Sequence, residues 1–275
     1  MIHVCYNLNS KIFDGLLLSA MSIAKHSSEP VQFHILSADL SHLKPEWTSV
    51  TAQQVELLNA AIRTYDERHD AELIDCAGEY AKYLADGRNR MSIYTPYNLF
   101  RLFLDVIELK GNPDKIIYID TDTMCRRDIK ELWDVDINDY EFAAALDFMG
   151  KKWINKNYCN AGVLYINLKK VKETGLWTKA RQRVHDKTMA MPDQSALHDL
   201  ATFKLVLPDK FNEQRTIKED TVIKHFCKGI KFYLFIPRVY NYKQWQRDKV
   251  HKKLKIHDFD DIYGDFDAIM AKHGR

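Results

Sequence analysis

Short apolar runs alternate along this chain with segments whose apolar residues recur at helical spacing, and this alternation predicts an α/β fold. The strand-like runs are residues 2–8, 31–38, 71–76, 115–120, 141–147, 161–168 and 203–208. The helical patterns are residues 13–25, 45–70, 95–107, 169–189 and 191–201. A sheet of roughly six strands flanked by helices is expected.

Composition narrows the classes of protein that this chain can belong to. Its 275 residues are 46% hydrophobic, which is enough to bury one large core or two modest ones. Lys and Arg number 40 against 38 Asp and Glu, so no overall field draws the chain to nucleic acid. Five cysteines without a C-x-x-C pair predict free thiols in a reducing compartment, and we expect a cytoplasmic protein.

The C-terminal part differs in composition from the rest of the chain. Lysines and aromatic residues crowd the stretch after Tyr240, which predicts a division into a domain at 1–240 and a basic, aromatic tail at 241–275. The tail could contact an anionic membrane surface peripherally, although a solvated helix with exposed lysines is the favoured interpretation. No apolar run approaches the ~20 residues of a membrane span.

The strand-like run at 115–120 ends in two carboxylates, Asp120 and Asp122, that are two residues apart. Residues at this spacing on a strand point to one face, and open α/β sheets bind ligands at the carboxyl ends of their strands. Two such charges repel each other unless a cation lies between them. A divalent cation that also bridges substrate phosphates is one interpretation, and a strand-to-turn cap is the other. Two further Asp-x-Asp pairs lack a preceding apolar strand: residues 134–136 and 258–260.

Several blocks of this sequence resemble, in the same order, those of the family 8 glycosyltransferases. KIIYIDTDTMCRRDIKELWD at 115–134 looks like the metal-binding signature of that family. The other blocks are QFHILSADLS (32–41), TPYNLFRL (95–102), NAGVLYINLKK (160–170), PDQSAL (192–197) and HFCKGIK (225–231). The bacterial lipopolysaccharide α-galactosyl- and α-glucosyltransferases look more similar than glycogenin does. The resemblance implies a GT-A fold, a Rossmann-like mixed sheet flanked by helices.

The resemblance also implies an activity and a set of site residues. The activity is retaining transfer of a hexose, galactose or glucose, from a UDP-sugar to a saccharide acceptor that can be lipid-linked. The implied metal ligands are Asp120, Asp122 and His225, a set that suits Mn²⁺ better than Mg²⁺ because imidazole prefers later metals. The implied contacts to the nucleotide are Asn7, Asn9, Arg101, Asp120, Thr121, Asp122, Gly229 and Lys231. The implied catalytic residues around the donor sugar are Asp147, Asn160, Asp193 and Gln194.

Most of these assigned residues also have a structural interpretation. Taken alone, His225 is more often a hydrogen-bonded structural histidine, and Arg101 pairs with a structural aspartate as readily as with a ligand. Asp193 can be a helix N-cap, and Asn160 can be a turn residue. Gln194 would lie closest to the β face of the anomeric carbon. Because an amide is a poor nucleophile, front-face substitution is favoured over double displacement.

The chain departs from the family pattern in several places. Asn7 and Asn9 stand where acidic residues usually hold the uracil, and Ser195 replaces a common acid. Lys231 is followed by Phe and Tyr where Pro and Trp are expected, and the segment from Asn212 to the late histidine is short. These departures leave the base preference and the acceptor side open.

Two other functions fit parts of the sequence. Haloacid dehalogenase phosphatases use an Asp-x-Asp motif after an apolar strand, but they place it near the start of the domain and have Thr or Val where this chain has Met124. A nucleotide-sugar-binding protein without activity is the non-enzymatic alternative. Retention of the charged and polar site residues argues against such a loss of activity.

Overall fold

The computed structural model describes residues 1–89, 95–233 and 236–274, apart from the side chains of residues 231–233, 236 and 237. The strands of its main sheet are β1 (Ile2–Asn7), β2 (Val31–Ser37), β3 (Asp70–Asp75), β4 (Lys115–Ile119), β6 (Phe142–Ala145), β7 (Val163–Asn167) and β8 (Lys204–Leu207). These seven strands lie in the order β3-β2-β1-β4-β7-β6-β8. Only β7 runs antiparallel to its neighbours, so the predicted α/β fold with a mixed sheet is confirmed.

Two short two-stranded ladders lie beyond the main sheet. One pairs β5 (Thr123–Cys125) with β9 (Ile223–His225), and the other pairs β10 (Gly229–Tyr233) with β11 (Ile236–Tyr240). The central strands β1 and β2 are buried along their whole length, as expected for parallel strands with helices on both faces. The helices are α1 (Phe13–His26), α2 (Ala52–Ile62), α3 (Ala77–Tyr83), α4 (Lys130–Trp133), α5 (Gly150–Trp153), α6 (Leu168–Thr174), α7 (Leu176–Asp186), α8 (Pro192–Leu200), α9 (Arg247–Lys249) and α10 (Asp260–Lys272).

The predicted helix at 45–70 is wrong in its extent. The structure forms only α2 there, because Thr51 and Gln54 make a capping box that starts the helix at Ala52. The six residues before the cap are irregular, and the residues from 70 onward belong to β3. Apolar residues at helical spacing also lie before the cap, so the sequence pattern predicted one longer helix.

Two other helical predictions differ from the structure in detail. Residues 96–103 form a 3₁₀ helix instead of the α-helix expected at 95–107. The pattern at 169–189 folds as two helices, α6 and α7, because Gly175 takes a left-handed conformation with φ of 67° between them. The predicted helix at 191–201 is confirmed as α8.

Residues 241–274 pack against the body of the molecule. The helix α10 lies on α1, and buried Phe259, Ile262 and Tyr263 join the same core cluster as the apolar face of α1. Lys25 on α1 forms ion pairs of 2.7 and 2.8 Å with Asp261 and Asp265 on α10. The division of the chain at residue 240 stays a prediction, but this segment shares a hydrophobic core with the preceding strands and helices.

Candidate active site

The antiparallel pairing of β5 with β9 brings distant site residues together. Thr123 on β5 lies opposite His225 on β9, immediately after the turn that carries Asp120 and Asp122. The Nε2 atom of His225 lies 3.1 Å from Oδ1 of Asp122 and 3.9 Å from Oδ2 of Asp120. Ligand atoms of the three side chains all lie within 4.8 Å of one another. Two carboxylates and one imidazole at this spacing can hold a divalent cation.

The imidazole of His225 is oriented by two asparagines. Its Nδ1 lies 3.0 Å from Oδ1 of Asn212, whose Nδ2 donates to Oδ1 of Asn160 at 2.9 Å. The amide oxygen of Asn212 accepts a hydrogen bond from the Nδ1–H of His225, so whenever this ring is neutral its lone pair lies on Nε2, the atom that faces the two aspartates. This arrangement is the one that a metal-binding histidine needs.

Gly162 makes room for that imidazole. A Cβ atom at this position would lie 2.2 Å from Cε1 of His225. That distance is too short for two carbon atoms, so the imidazole ring would have to move. The carbonyl oxygen of Gly162 also accepts the backbone N–H of Asp120 at 2.7 Å. The Asn-Ala-Gly block therefore supports both the histidine and the first aspartate.

Arg101 connects the loop that carries Asp120 and Asp122 to helix α8. The residue is 2% exposed, and its Nη2 donates to Oδ1 of Asp120 at 3.0 Å while Nη1 lies 3.3 Å from Oδ2 of Asp193. Its Cζ atom lies 4.0 Å from the centroid of the Tyr118 ring. Among the two sequence interpretations, the structure gives Arg101 carboxylate partners, and these partners are themselves predicted site residues.

Asp147, Asn160 and Gln194 form a hydrogen-bonded group. One carboxylate oxygen of Asp147 accepts the backbone N–H groups of Met149 at 3.0 Å and Gly150 at 2.6 Å. Its other oxygen accepts Nδ2 of Asn160 at 2.8 Å and Nε2 of Gln194 at 3.4 Å. Asp147 therefore both fixes the turn before α5 and positions two amides.

The charges of the site shift the pKa values of its buried groups. Burial raises the pKa of Asp122, but the opposing charges of His225 and Lys243 outweigh it and hold this pKa well below its usual value. Burial raises the pKa of Asp193 despite the adjacent Arg101. Burial lowers the pKa of Arg101, but Tyr118, Asp193 and Asp120 together raise it above its usual value. Asp122 and Arg101 therefore stay charged in the free protein.

Sequence reasoning missed Lys243, which it assigned to the basic tail. The Nζ atom of Lys243 donates to Oδ2 of Asp122, on the side opposite the oxygen that faces His225, and to the carbonyl oxygen of Phe226 at 3.1 Å. The next residue, Gln244, donates to the carbonyl oxygen of Thr121 at 2.5 Å. No local motif marks Lys243, because only the packing of the C-terminal segment brings it to the site.

These residues line a cavity of about 550 Å³, a size typical of small-molecule sites. The predicted site residues that line it are Arg101, Asp120, Asp122, Asp147, Asn160, Asp193, Gln194, His225 and Gly229. Asn7, Asn9 and Thr121 do not line this cavity. The side chain of Lys231 lies outside the described residues, although its backbone pairs with Arg238 between β10 and β11.

The other two Asp-x-Asp pairs have surface partners. Asp134 is exposed and pairs with Lys130 at 2.6 Å, and Asp258 pairs with Arg126 at 3.0 Å. Asp260 accepts from His251 at 2.7 Å and lies 3.2 Å from His257. The pair that follows the apolar strand is therefore the only one of the three on the main cavity of the described residues.

Comparisons with known proteins found a matching family and related glycosyltransferases. A family model described as glycosyl transferase family 8 matches residues 3–253. A putative glycosyltransferase of Haemophilus influenzae is 33% identical over 155 residues, which cover 47% of this chain and 47% of that protein. Lipopolysaccharide 1,2-glucosyltransferase of Escherichia coli K12 is 31% identical over 234 residues, which cover 80% of this chain and 64% of that protein. In both alignments the chain spans less than two thirds of the relative.

A solved structure has the same fold. The galactosyltransferase LgtC, in complex with donor and acceptor sugar analogues, matches with a TM-score of 0.67 and 20% identity over 96% of this chain and 95% of that chain. At this identity the likeness establishes the fold, which is GT-A. The predicted GT-A fold is therefore confirmed.

Proposed function

Because this chain belongs to glycosyl transferase family 8, we propose that it transfers a hexose, galactose or glucose, from a UDP-sugar to a saccharide acceptor with retention of configuration. The observation that carries this proposal is the convergence of Asp120, Asp122 and His225 on one cavity. Membership of this family favours a transferase over the phosphatase alternative that the sequence left open. Two carboxylates and an imidazole suit Mn²⁺, with Mg²⁺ as the alternative.

The residues around the metal ligands support departure of the nucleotide. A divalent cation held by Asp120, Asp122 and His225 would stabilise, as a Lewis acid, the negative charge that develops on the leaving diphosphate. Arg101 fixes the orientation of Asp120, because two of its nitrogens are occupied by Asp120 and Asp193. We assign Lys231 and Gly229 to the diphosphate as well.

The amides and carboxylates of the cavity that are not metal ligands are proposed to surround the donor sugar. They are Asp147, Asn160, Asp193 and Gln194. The Oε1 atom of Gln194 accepts the backbone N–H of Ala161 at 3.0 Å, so this amide is fixed and its oxygen already has a donor. A fixed amide is a poor nucleophile, and we therefore favour front-face substitution, in which a leaving phosphate oxygen takes the proton of the acceptor hydroxyl.

Asn7 and Asn9 are proposed to bind the uracil edge. Both are buried, and their Oδ1 atoms have no hydrogen-bond partner among the described residues. A buried acceptor without a donor is costly, and the N3–H of uracil would supply one. Because Asn7 and Asn9 do not line the main cavity, this proposal requires the base to extend beyond it. The backbone of Thr121, between the two aspartates, is assigned to the same nucleotide.

The setting of the enzyme is also a proposal. We place it in the cytoplasm, at the inner face of the membrane if the acceptor is lipid-linked. Within the described part of the chain, no helix has the length and apolar character needed to cross a bilayer. Trp245 packs against Gly15, so any peripheral contact by the C-terminal segment would rest on the exposed lysines of residues 249–255.

A donor-hydrolysis assay tests the proposed function. UDP-galactose and UDP-glucose are incubated with the protein and Mn²⁺, Mg²⁺ or EDTA, and released UDP is measured by chromatography. We expect Mn²⁺-dependent release that the D120N/D122N variant loses. The D134N/D136N variant changes a surface pair of the same spacing and should retain it. Binding of UDP without turnover of any donor would instead support a nucleotide-sugar-binding protein.

A further inference from the structure

We infer that the mouth of the cavity binds an acceptor saccharide that carries a phosphate or carboxylate group, an inference that rests on the proposed function. The feature that leads to it is a cluster of cations around the ring of Phe148. Cζ of Arg215 lies 4.4 Å from the ring centroid, Nζ of Lys152 lies 4.5 Å away, and Nζ of Lys151 lies 5.9 Å away. We call these three cations and Phe148 the basic rim.

None of these three cations has an acidic partner among the residues that the structure describes. Other basic side chains of the surface do, such as Arg127 with Glu131 and Lys130 with Asp134. Three like charges that share one aromatic ring repel one another, and the ring quadrupole compensates only part of that cost. An anion placed among them would remove the repulsion and gain charge-assisted hydrogen bonds.

The basic rim is held in a fixed place beside the donor site. The backbone N–H of Phe148 donates to Oε1 of Gln214 at 2.9 Å, and Nε2 of Gln214 donates to the carbonyl oxygen of Leu146 at 2.9 Å. These bonds join the segment that carries Arg215 to the turn after β6. Gly150 lets the start of α5 lie against Tyr158, because a Cβ at this position would lie 2.3 Å from the Tyr158 ring. Phe148 and Arg215 line the cavity.

The basic rim faces solvent, whereas the described cation that contacts Asp120 is buried. Arg101 is 2% exposed at the base of the cavity, but Lys152 and Arg215 are exposed. Trp153 follows Lys152 at the mouth and is 78% exposed, and Ile154 beside it is 56% exposed. A flat, exposed aromatic ring beside unpaired cations fits the apolar face of a pyranose that carries an anionic substituent. Because the inner part of the cavity is assigned to the donor, its exposed mouth is left for the acceptor.

Binding of small sugars tests this inference without requiring transfer. Glucose 6-phosphate, glucuronate and glucose are titrated by calorimetry into the full chain, both metal-free and saturated with Mn²⁺ and UDP. We expect the two anionic sugars to bind at least about tenfold more tightly than glucose, as expected for a hydrogen bond to a charged group. The K151Q/K152Q variant should lose most of that difference. The K169Q/K172Q variant, which removes two exposed lysines from α6, should keep it.

Three outcomes would overturn the inference. Equal affinity for glucose and glucose 6-phosphate would remove the anionic preference, and displacement of glucose 6-phosphate by UDP would assign the rim to the donor. Binding to vesicles of phosphatidylglycerol without binding of the soluble phosphosugar would assign it to a lipid surface. The D120N/D122N variant keeps the rim, so it should still bind glucose 6-phosphate. If the unsubstituted protein hydrolyses neither donor, the proposed function is refuted, and the results of these binding experiments still stand.

Discussion

At the scale of single residues, the candidate metal site depends on a glycine as much as on its ligands. We expect the Gly162→Ala variant to bind Mn²⁺ about tenfold or more weakly, because the added Cβ would displace the ring of His225. Electron paramagnetic resonance of free Mn²⁺ measures this affinity. Gly78→Ala is the matched control, since a Cβ at Gly78 meets nothing within 4 Å. Unchanged Mn²⁺ affinity in Gly162→Ala would show that His225 is not a ligand.

Arg101 should contribute to both stability and binding. Replacing it with methionine leaves the buried Asp193 without its cation and Asp120 without its nearest cation. We expect this loss to cost about 3–5 kcal/mol of unfolding free energy. Urea unfolding measures this loss, and calorimetry with UDP and Mn²⁺ measures binding. Arg181→Met is the control, because Arg181 is equally buried and pairs with Asp105 away from the cavity. It should lose stability but keep binding, whereas Arg101→Met should lose both.

The principal residues of the candidate site could be predicted from the sequence, but the residues that hydrogen-bond to them and position them could not. Asp120, Asp122 and His225 are visible because an apolar strand and a family motif mark them. Lys243 and Asn212 are not visible, since Lys243 reaches the site through the docking of the C-terminal segment and Asn212 through the bridge of Glu213 with Lys224 on β9. Such contacts depend on tertiary packing, which local spacing does not encode.

At the scale of secondary-structure elements, strands were predicted more reliably than helices. The runs at 115–120 and 161–168 are buried on both faces, so their continuous apolar character identifies them whatever they pair with. The helix predicted at 45–70 is too long because a capping box at Thr51 delays its start to Ala52, and the one at 169–189 is divided in two by Gly175. Single capping residues therefore outweighed the apolar periodicity over the whole segment.

The parallel strands β1, β2 and β3 carry a pH-sensitive row of side chains. Nδ1 of His3 lies 3.0 Å from Nε2 of His34, and Nδ1 of His34 lies 2.6 Å from Glu72, its register partner. Burial, together with the adjacent His34, lowers the pKa of His3 from 6.5 to about 4. Between these two pH values the unfolded chain binds a proton that the folded chain does not, so stability falls as the pH falls through this range.

The His3→Gln variant should therefore lose less stability on acidification than the unsubstituted protein. The measurement is the unfolding free energy in urea at pH values between 7 and 4, and the quantity compared is its slope. His273→Gln, at an exposed position on the last turn of the chain, should leave the slope unchanged. A slope in His3→Gln as steep as that of the unsubstituted protein would contradict the assignment to His3.

At the scale of the whole molecule, the candidate site joins segments from the 3₁₀ helix at 96–103 to the C-terminal segment. Tyr263 on α10 donates its hydroxyl to the carbonyl oxygen of Gln244 at 2.8 Å, and Gln244 in turn holds the turn at Thr121. These two hydrogen bonds therefore connect α10 to the loop between the two aspartates. This connection predicts that the C-terminal segment and the loop between Asp120 and Asp122 unfold together.

Truncation of a buried side chain on α10 tests this cooperativity. Ile262 is fully buried in the core that α10 shares with α1, so Ile262→Ala should cost about 2–5 kcal/mol through the cavity that it leaves. If the segment folds with the rest of the molecule, urea transitions followed by tryptophan fluorescence and by far-UV circular dichroism should coincide, and both should shift to lower urea in the variant. An independently folded tail would instead give an early transition in fluorescence, from Trp245, and leave the main dichroism transition in place. The same variant should weaken Mn²⁺ binding only when the urea concentration begins to unfold the whole chain.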